Sequence, residues 1–172
     1  MSRSTARRSA MTAAAIVALL APAAAGTAAA APHEYRIAPA HSEKCLDVLG
    51  GNTGDDADIV QWTCDGRTSQ RFSATLASND RWMFWSQGTE KCLTAVFAGE
   101  EGGDVVQRTC DGGPAQRWRV EGQADYGYRI VSAYTDLCLE VEHASWEDGA
   151  EVRQFRCHGQ DNQRFSFDQV DA

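Results

Sequence analysis

Cys45, Cys64, Cys92, Cys110, Cys138 and Cys157 could hold zinc, act as thiol nucleophiles or form disulfides. None stands in the C-x-x-C spacing common among zinc ligands. They fall instead into couples 19, 18 and 19 positions apart. An even set of this kind in an exported chain is a disulfide framework, with no thiol left over for catalysis. Six cysteines allow 15 pairings. The one that repeats a single geometry is Cys45 with Cys64, Cys92 with Cys110 and Cys138 with Cys157. Each closed loop contributes about 3 kcal/mol on the chain-entropy estimate. Asp55, Asp56 and Asp58 could serve a hard cation, but their spacing fits no calcium loop. The equivalent later stretch, Gly102-Gly103-Asp104, is turn chemistry. Glu100-Glu101 and Glu147-Asp148 could form the opposed carboxylates of a hydrolase, yet they fall in predicted turns, where solvated acids are ordinary. His33, His41, His143 and His158 share no common position, and no G-x-S-x-G elbow is present. The chain reads as a non-enzyme with no metal or cofactor.

What must position these residues is a unit built three times. Asp58 to Phe72 reads DIVQWTCDGRTSQRF, from Asp104 the chain reads DVVQRTCDGGPAQRW, and from Glu151 it reads EVRQFRCHGQDNQRF. Upstream stand Lys44-Cys45-Leu46-Asp47, Lys91-Cys92-Leu93-Thr94 and Leu137-Cys138-Leu139-Glu140, at periods of 47 and 46 residues. Self-similarity at that period indicates a repeat architecture. Short alternating apolar runs separated by Gly, Asp, Asn and Ser predict strands and turns. A further strand is expected before each first cysteine, over 34–37, 82–86 and 128–132. In the second of these, Trp82 and Phe84 alternate toward the core and Trp85 is left as an exposed contact. The total is about twelve strands in an all-β fold, closed so that no sheet edge is left open. Copies span about 34–79, 80–125 and 126–168.

The first 30 residues carry Arg3, Arg7 and Arg8 but no acid, then an apolar run over 13–25 and a small-residue tract. This is the pattern of a secretory signal, with cleavage expected after Ala30. The mature chain, residues 31–172, suits one domain with a real core. Loss of the three arginines takes the formal charge from -8 to -11. Such an acidic surface repels phosphate backbones, so no nucleic-acid partner is expected. The apolar run, broken by Pro22, is too short for a membrane span. A secreted, extracellular protein is expected.

C-L-[DTE], then an apolar-x-Gln segment before a second cysteine, then Gln-Arg-[FW], three times over, resembles the ricin-B-type lectin family. The likeness covers roughly residues 34–168. It implies a β-trefoil, with six barrel strands, three hairpins closing one end and one potential sugar pocket per copy. A sugar offers hydroxyls and a C-H face, so a pocket needs a carboxylate acceptor and an aromatic platform. In sugar-binding members the acid lies two residues after the first cysteine and the aromatic two before the second. A Gln lies four before that cysteine, and an Asn precedes the later Gln.

Carried over, the first copy supplies Asp47, Trp62 and Gln70, with Ser69 in place of Asn and Val60 in place of Gln. The third copy supplies Glu140, Phe155, Asn162 and Gln163, with Arg153 in place of Gln. The second copy has Thr94, Arg108 and Ala115 at the deciding positions and reads as structural. Gln61, Gln107 and Gln154 are one residue off the expected donor, which on a strand turns them to the opposite face. Leu46, Leu93, Leu139, Phe72, Trp118 and Phe165 read as core, and Gln70, Gln116 and Gln163 as donors to nearby backbone. The expectation is a non-catalytic lectin-like module binding the sugars of a polysaccharide or glycoprotein, best in the first copy and more weakly in the third. The alternative is a protein-binding trefoil, an inhibitor or a toxin's cell-binding partner, with decayed pockets.

Overall fold

The computed structural model describes residues 33–77, 79–97, 99 and 102–170. The expected signal segment, residues 1–30, and Glu100 and Glu101 lie outside the described residues. Twelve strands follow in order: β1 (Glu34–Pro39), β2 (Cys45–Val48), β3 (Ala57–Trp62), β4 (Phe72–Leu76), β5 (Trp82–Ser86), β6 (Cys92–Ala95), β7 (Gly103–Arg108), β8 (Trp118–Gln123), β9 (Gly127–Ser132), β10 (Cys138–Val141), β11 (Val152–Phe155) and β12 (Phe165–Val170). Among the described residues, turns, irregular stretches and single 3-10 turns stand between them, as the lack of helical periodicity predicts. Among the described residues no helix is long and apolar enough to cross a membrane.

The pairings close on themselves. Strand β1 pairs with β4, β4 with β5, β5 with β8, β8 with β9, β9 with β12, and β12 with β1. This is a six-stranded antiparallel barrel with no free edge. The other six strands form three hairpins, β2–β3, β6–β7 and β10–β11. They touch one another through β3–β7, β7–β11 and a bridge between Val60 and Glu151, a triangle over one end of the barrel. The architecture is the one implied by the sequence resemblance.

The residues read as core fill the barrel. Phe72, Trp118 and Phe165 are buried, with Leu46, Leu93 and Leu139 beside them and Ile37, Phe84 and Ile130 one strand over. Full burial of each such side chain stabilises by about 1.5–3 kcal/mol. Trp118, the largest, keeps its indole N–H satisfied on the Leu93 carbonyl at 3.1 Å. The three disulfides join Cys45 to Cys64, Cys92 to Cys110 and Cys138 to Cys157, each tying the start of one hairpin strand to the segment after its partner.

The hairpins are locked by Gln61, Gln107 and Gln154, which strand parity turns away from the face that carries residues 47, 94 and 140. Gln61 donates to the Ser145 and Glu147 carbonyls at 2.7 and 2.9 Å and accepts from Ser42. Gln107 bonds the Asn52 and Gly54 carbonyls, and Gln154 those of Val96 and Asp104. Each reaches the turn of another copy, so the same shift repeated three times builds a ring of inter-copy bonds. The approach is close at Gly102, where φ is 151° and a Cβ would lie 2.5 Å from the Gln154 carbonyl oxygen. Only glycine fits there.

Candidate functional site

Antiparallel register decides which side chains share a face. In the first hairpin Cys45 pairs with Trp62 and Asp47 with Val60. Directly paired residues point the same way, as do residues two apart. Asp47, Val60 and Trp62 therefore lie on one face, and Asp47 and Trp62 are diagonal neighbours, about 7–8 Å apart at the backbone. Leu46 and Gln61 take the other face. The carboxylate and the aromatic named from the sequence are thus brought together, with Val60 opposite Asp47 and next to Trp62 on the same face.

Asp47 is only 1% exposed. Its Oδ2 accepts from Gln70 Nε2 at 3.0 Å. Gln70 is held in turn: it donates to the Thr63 carbonyl, and its Oε1 accepts from the Asp65 and Gly66 N–H groups. The 3-10 turn Thr68–Gln70, which packs against β2, presents Gln70 and Ser69 inward. Arg67 Nη1 lies 3.8 Å from Oδ2, but its main partner is Asp65, whose Oδ1 accepts from Arg67 Nε at 2.9 Å. That bond holds the Asp65 carboxyl below the usual carboxylate range. Asp47 Oδ1 and Ser69 Oγ are buried with no hydrogen-bond partner among the described residues. A buried polar atom left unpaired costs about 1–3 kcal/mol, more when charged, so these two are the exceptions in an otherwise satisfied site.

Among the described residues the second copy leaves no buried side-chain polar atom unpaired. Thr94, at the acid position, donates its hydroxyl to the Cys92 carbonyl at 2.9 Å and accepts from Gln116 at 3.2 Å. Arg108, at the aromatic position, ion-pairs with Asp56 of the first copy.

The third copy keeps its acid, but the acid is occupied. Glu140 pairs in register with Arg153. Arg153 Nε donates to Oε1 at 3.1 Å, while Oε2 accepts from Gln163 at 2.9 Å and lies 3.1 Å from His158 Nε2. The Arg153 guanidinium also lies over the Phe155 ring, 4.9 Å from its centroid, and bonds Glu142. Asn162 donates to the Val141 carbonyl and leaves Oδ1 unpaired. The physical difference between copies one and three lies in the cross-strand partner of the acid: valine offers no donor, and arginine donates its Nε–H to Glu140 Oε1.

The turn between β10 and β11 completes the first copy's surroundings. Asp148 accepts from Lys44 Nζ at 2.7 Å and from the Thr63 N–H at 2.7 Å. A Cβ on Gly149 would lie 3.5 Å from the Trp62 ring. Asp55 repeats the pattern with Lys91 and Thr109. These hydrogen bonds, from lysine first, hold both carboxyls below the usual range. Asp55 and Asp56, weighed above as cation ligands, are thus engaged in ion pairs with Lys91 and Arg108.

Sequence reading missed His158, Arg67 and the cross-copy role of Asp148. The first two stand where the copies disagree: His158 replaces Asp65 and Asp111, and Arg67 holds the position of Gly113 and Gln160. That signal was available. Trp85 is half-buried, as is Trp82, which lines the end of the barrel away from the hairpins.

The family model described as ricin-type beta-trefoil lectin domain matches residues 33–128. No curated protein matches the sequence. Among solved structures, the designed threefold-symmetric protein ThreeFoil is 30% identical with a TM-score of 0.76, over 80% of this chain and 99% of that one. The exo-β-1,3-galactanase 1,3Gal43A from Clostridium thermocellum is 29% identical with a TM-score of 0.76, over 80% of this chain. This chain spans 30% of that enzyme's length. A ricin B-like lectin of Macrolepiota procera, in complex with lactose, is 14% identical with a TM-score of 0.70, over 84% of this chain and 100% of that one, a likeness of fold.

Proposed function

Because the chain belongs to the ricin-type β-trefoil lectin domain family, we propose that it is a secreted, non-catalytic module that holds sugars of a polysaccharide or glycoprotein chiefly through its first copy. The family and its lectin neighbours support a carbohydrate-binding module. The observation that carries the choice of copy is Asp47 Oδ1, a buried carboxylate oxygen with no donor. Burying a carboxylate is costly unless its oxygens are bonded. Vicinal hydroxyls of a sugar supply the missing donors as charge-assisted bonds, Ser69 Oγ offers one more polar contact, and Trp62 covers the C-H face. Gln70 orients the acid from behind. Glu140, Phe155, Asn162 and Gln163 form a weaker site, because a sugar there must displace Arg153 from both the acid and the ring. The second copy is structural.

A glycan and polysaccharide binding screen, followed by titration of any hit against Trp62→Ala, tests the reading. The expected result is a saturable hit that Trp62→Ala abolishes while the thermal midpoint holds. A clean negative from folded, disulfide-bonded protein transfers the reading to a protein-binding trefoil. That second reading is favoured by one observation, an exposed aromatic pair, Phe97 and Tyr134, with ring centroids 6.2 Å apart.

A further inference from the structure

The end of the barrel away from the hairpins is open and contains a cavity of about 600 Å³, within the range of small-molecule sites, about 300–1,000 Å³. Its walls come from threefold-equivalent positions. Tyr35, Trp82 and Tyr128 stand two residues before the core residues Ile37, Phe84 and Ile130, and Ala74, Val120 and Phe167 stand two residues after Phe72, Trp118 and Phe165. The second ring of positions is unequal: alanine, valine, phenylalanine. Phe167 fills its third of the space, stacked on Phe84 at 5.8 Å and edge-on to Tyr128 and Tyr35 at 5.6 and 6.3 Å. Ala74, paired in register with Phe84, leaves its third empty.

We propose that this cavity is a second binding site, independent of the sugar-facing hairpins, for a neutral, ring-containing apolar molecule of small-molecule size. The aromatic walls favour a flat or alicyclic ring, which can take the stacked and edge-on contacts that Phe167 already makes with its neighbours. Neutrality follows from the charges present. Asp168 at the rim is already paired with Arg36 at 3.1 Å, so a cation meets no unpaired carboxylate among the lining residues, and an anion meets a carboxylate on an acidic protein. An asymmetric gap in an otherwise threefold layer is what a ligand pocket requires and what a close-packed core avoids.

The test uses the neutral fluorescent dye N-phenyl-1-naphthylamine with the purified protein. Ala74→Val and Ala74→Phe introduce residues that the same layer already holds at Val120 and Phe167. The expected result is saturable dye emission at one dye per chain, weakened in Ala74→Val and at least tenfold weaker in Ala74→Phe. Trp62→Ala, far from the cavity, should bind the dye as the parent does. Circular dichroism and the thermal midpoint establish folding, and if Ala74→Phe fails to fold, Ala74→Val decides. Absence of saturable emission, more than one dye per chain, or equal binding by the folded Ala74 variants overturns the proposal.

Discussion

Replacing Asp47 by threonine transplants the second copy's solution into the first, and the chain itself shows that solution to be stable. At Thr94 the hydroxyl donates to the backbone of Cys92 and accepts from Gln116. In Asp47→Thr the same bonds are available, to the Cys45 carbonyl and from Gln70. The variant loses the charge assistance of the Gln70 bond, about 1.5–3 kcal/mol for a charged acceptor against about 0.5–1.5 for a neutral one. It also loses the unpaired Oδ1, whose burial costs about 1–3 kcal/mol. The two changes oppose each other, so stability should move by no more than about 1 kcal/mol. Binding has no such offset: each lost sugar bond to the carboxylate removes about 1.5–3 kcal/mol, a 10- to 150-fold weakening at about 1.4 kcal/mol per decade. Urea unfolding and calorimetric titration with the screened glycan read the two quantities separately. Binding retained within threefold, or a stability loss above about 3 kcal/mol, refutes the assignment of Asp47 as an acid held ready for a ligand.

Arg153→Val gives the third copy the cross-strand partner that the first has in Val60. Glu140 Oε1 then loses its donor, stability should fall by about 1–3 kcal/mol, and glycan stoichiometry should rise from one toward two per chain in titration. Gln61→Ala removes two bonds to another copy's carbonyls and one from Ser42. At about 0.5–1.5 kcal/mol each it should cost about 2–4 kcal/mol in urea unfolding, with glycan affinity in the folded protein little changed. Asp55, Asp65 and Asp148 have carboxyl pKa values lowered by their partners. Their contribution is therefore present above the unfolded value of 3.8 and is lost as pH falls through the lower folded values. The thermal midpoint should be level from pH 7 to about 5 and drop below about 4, and Asp148→Asn should flatten that drop.

The repeat made the fold legible. Three copies in phase reveal the strands, the disulfide pairing and the core, because each is a local pattern written three times: a period of two in the strands, cysteines 18 or 19 apart, and a bulky residue after each Gln-Arg. Parity along a strand also placed Gln61, Gln107 and Gln154 on the face away from the acid.

What the residues around the pockets do was not legible in the same way, since it depends on neighbours distant in sequence. Glu140 and Asp47 occupy the same repeat position, yet one has both oxygens engaged and the other keeps one unpaired, because register sets Arg153 opposite one and Val60 opposite the other. Likewise Ala74 is an unremarkable small residue in a strand until barrel closure sets it level with Val120 and Phe167 and leaves a gap. The sequence by itself determined which backbone forms, because propensity, alternation and turn chemistry are local. Only the tertiary structure decided which polar atoms remain unpaired and where space remains, because hydrogen-bond satisfaction and packing are settled between chain segments that meet only on folding.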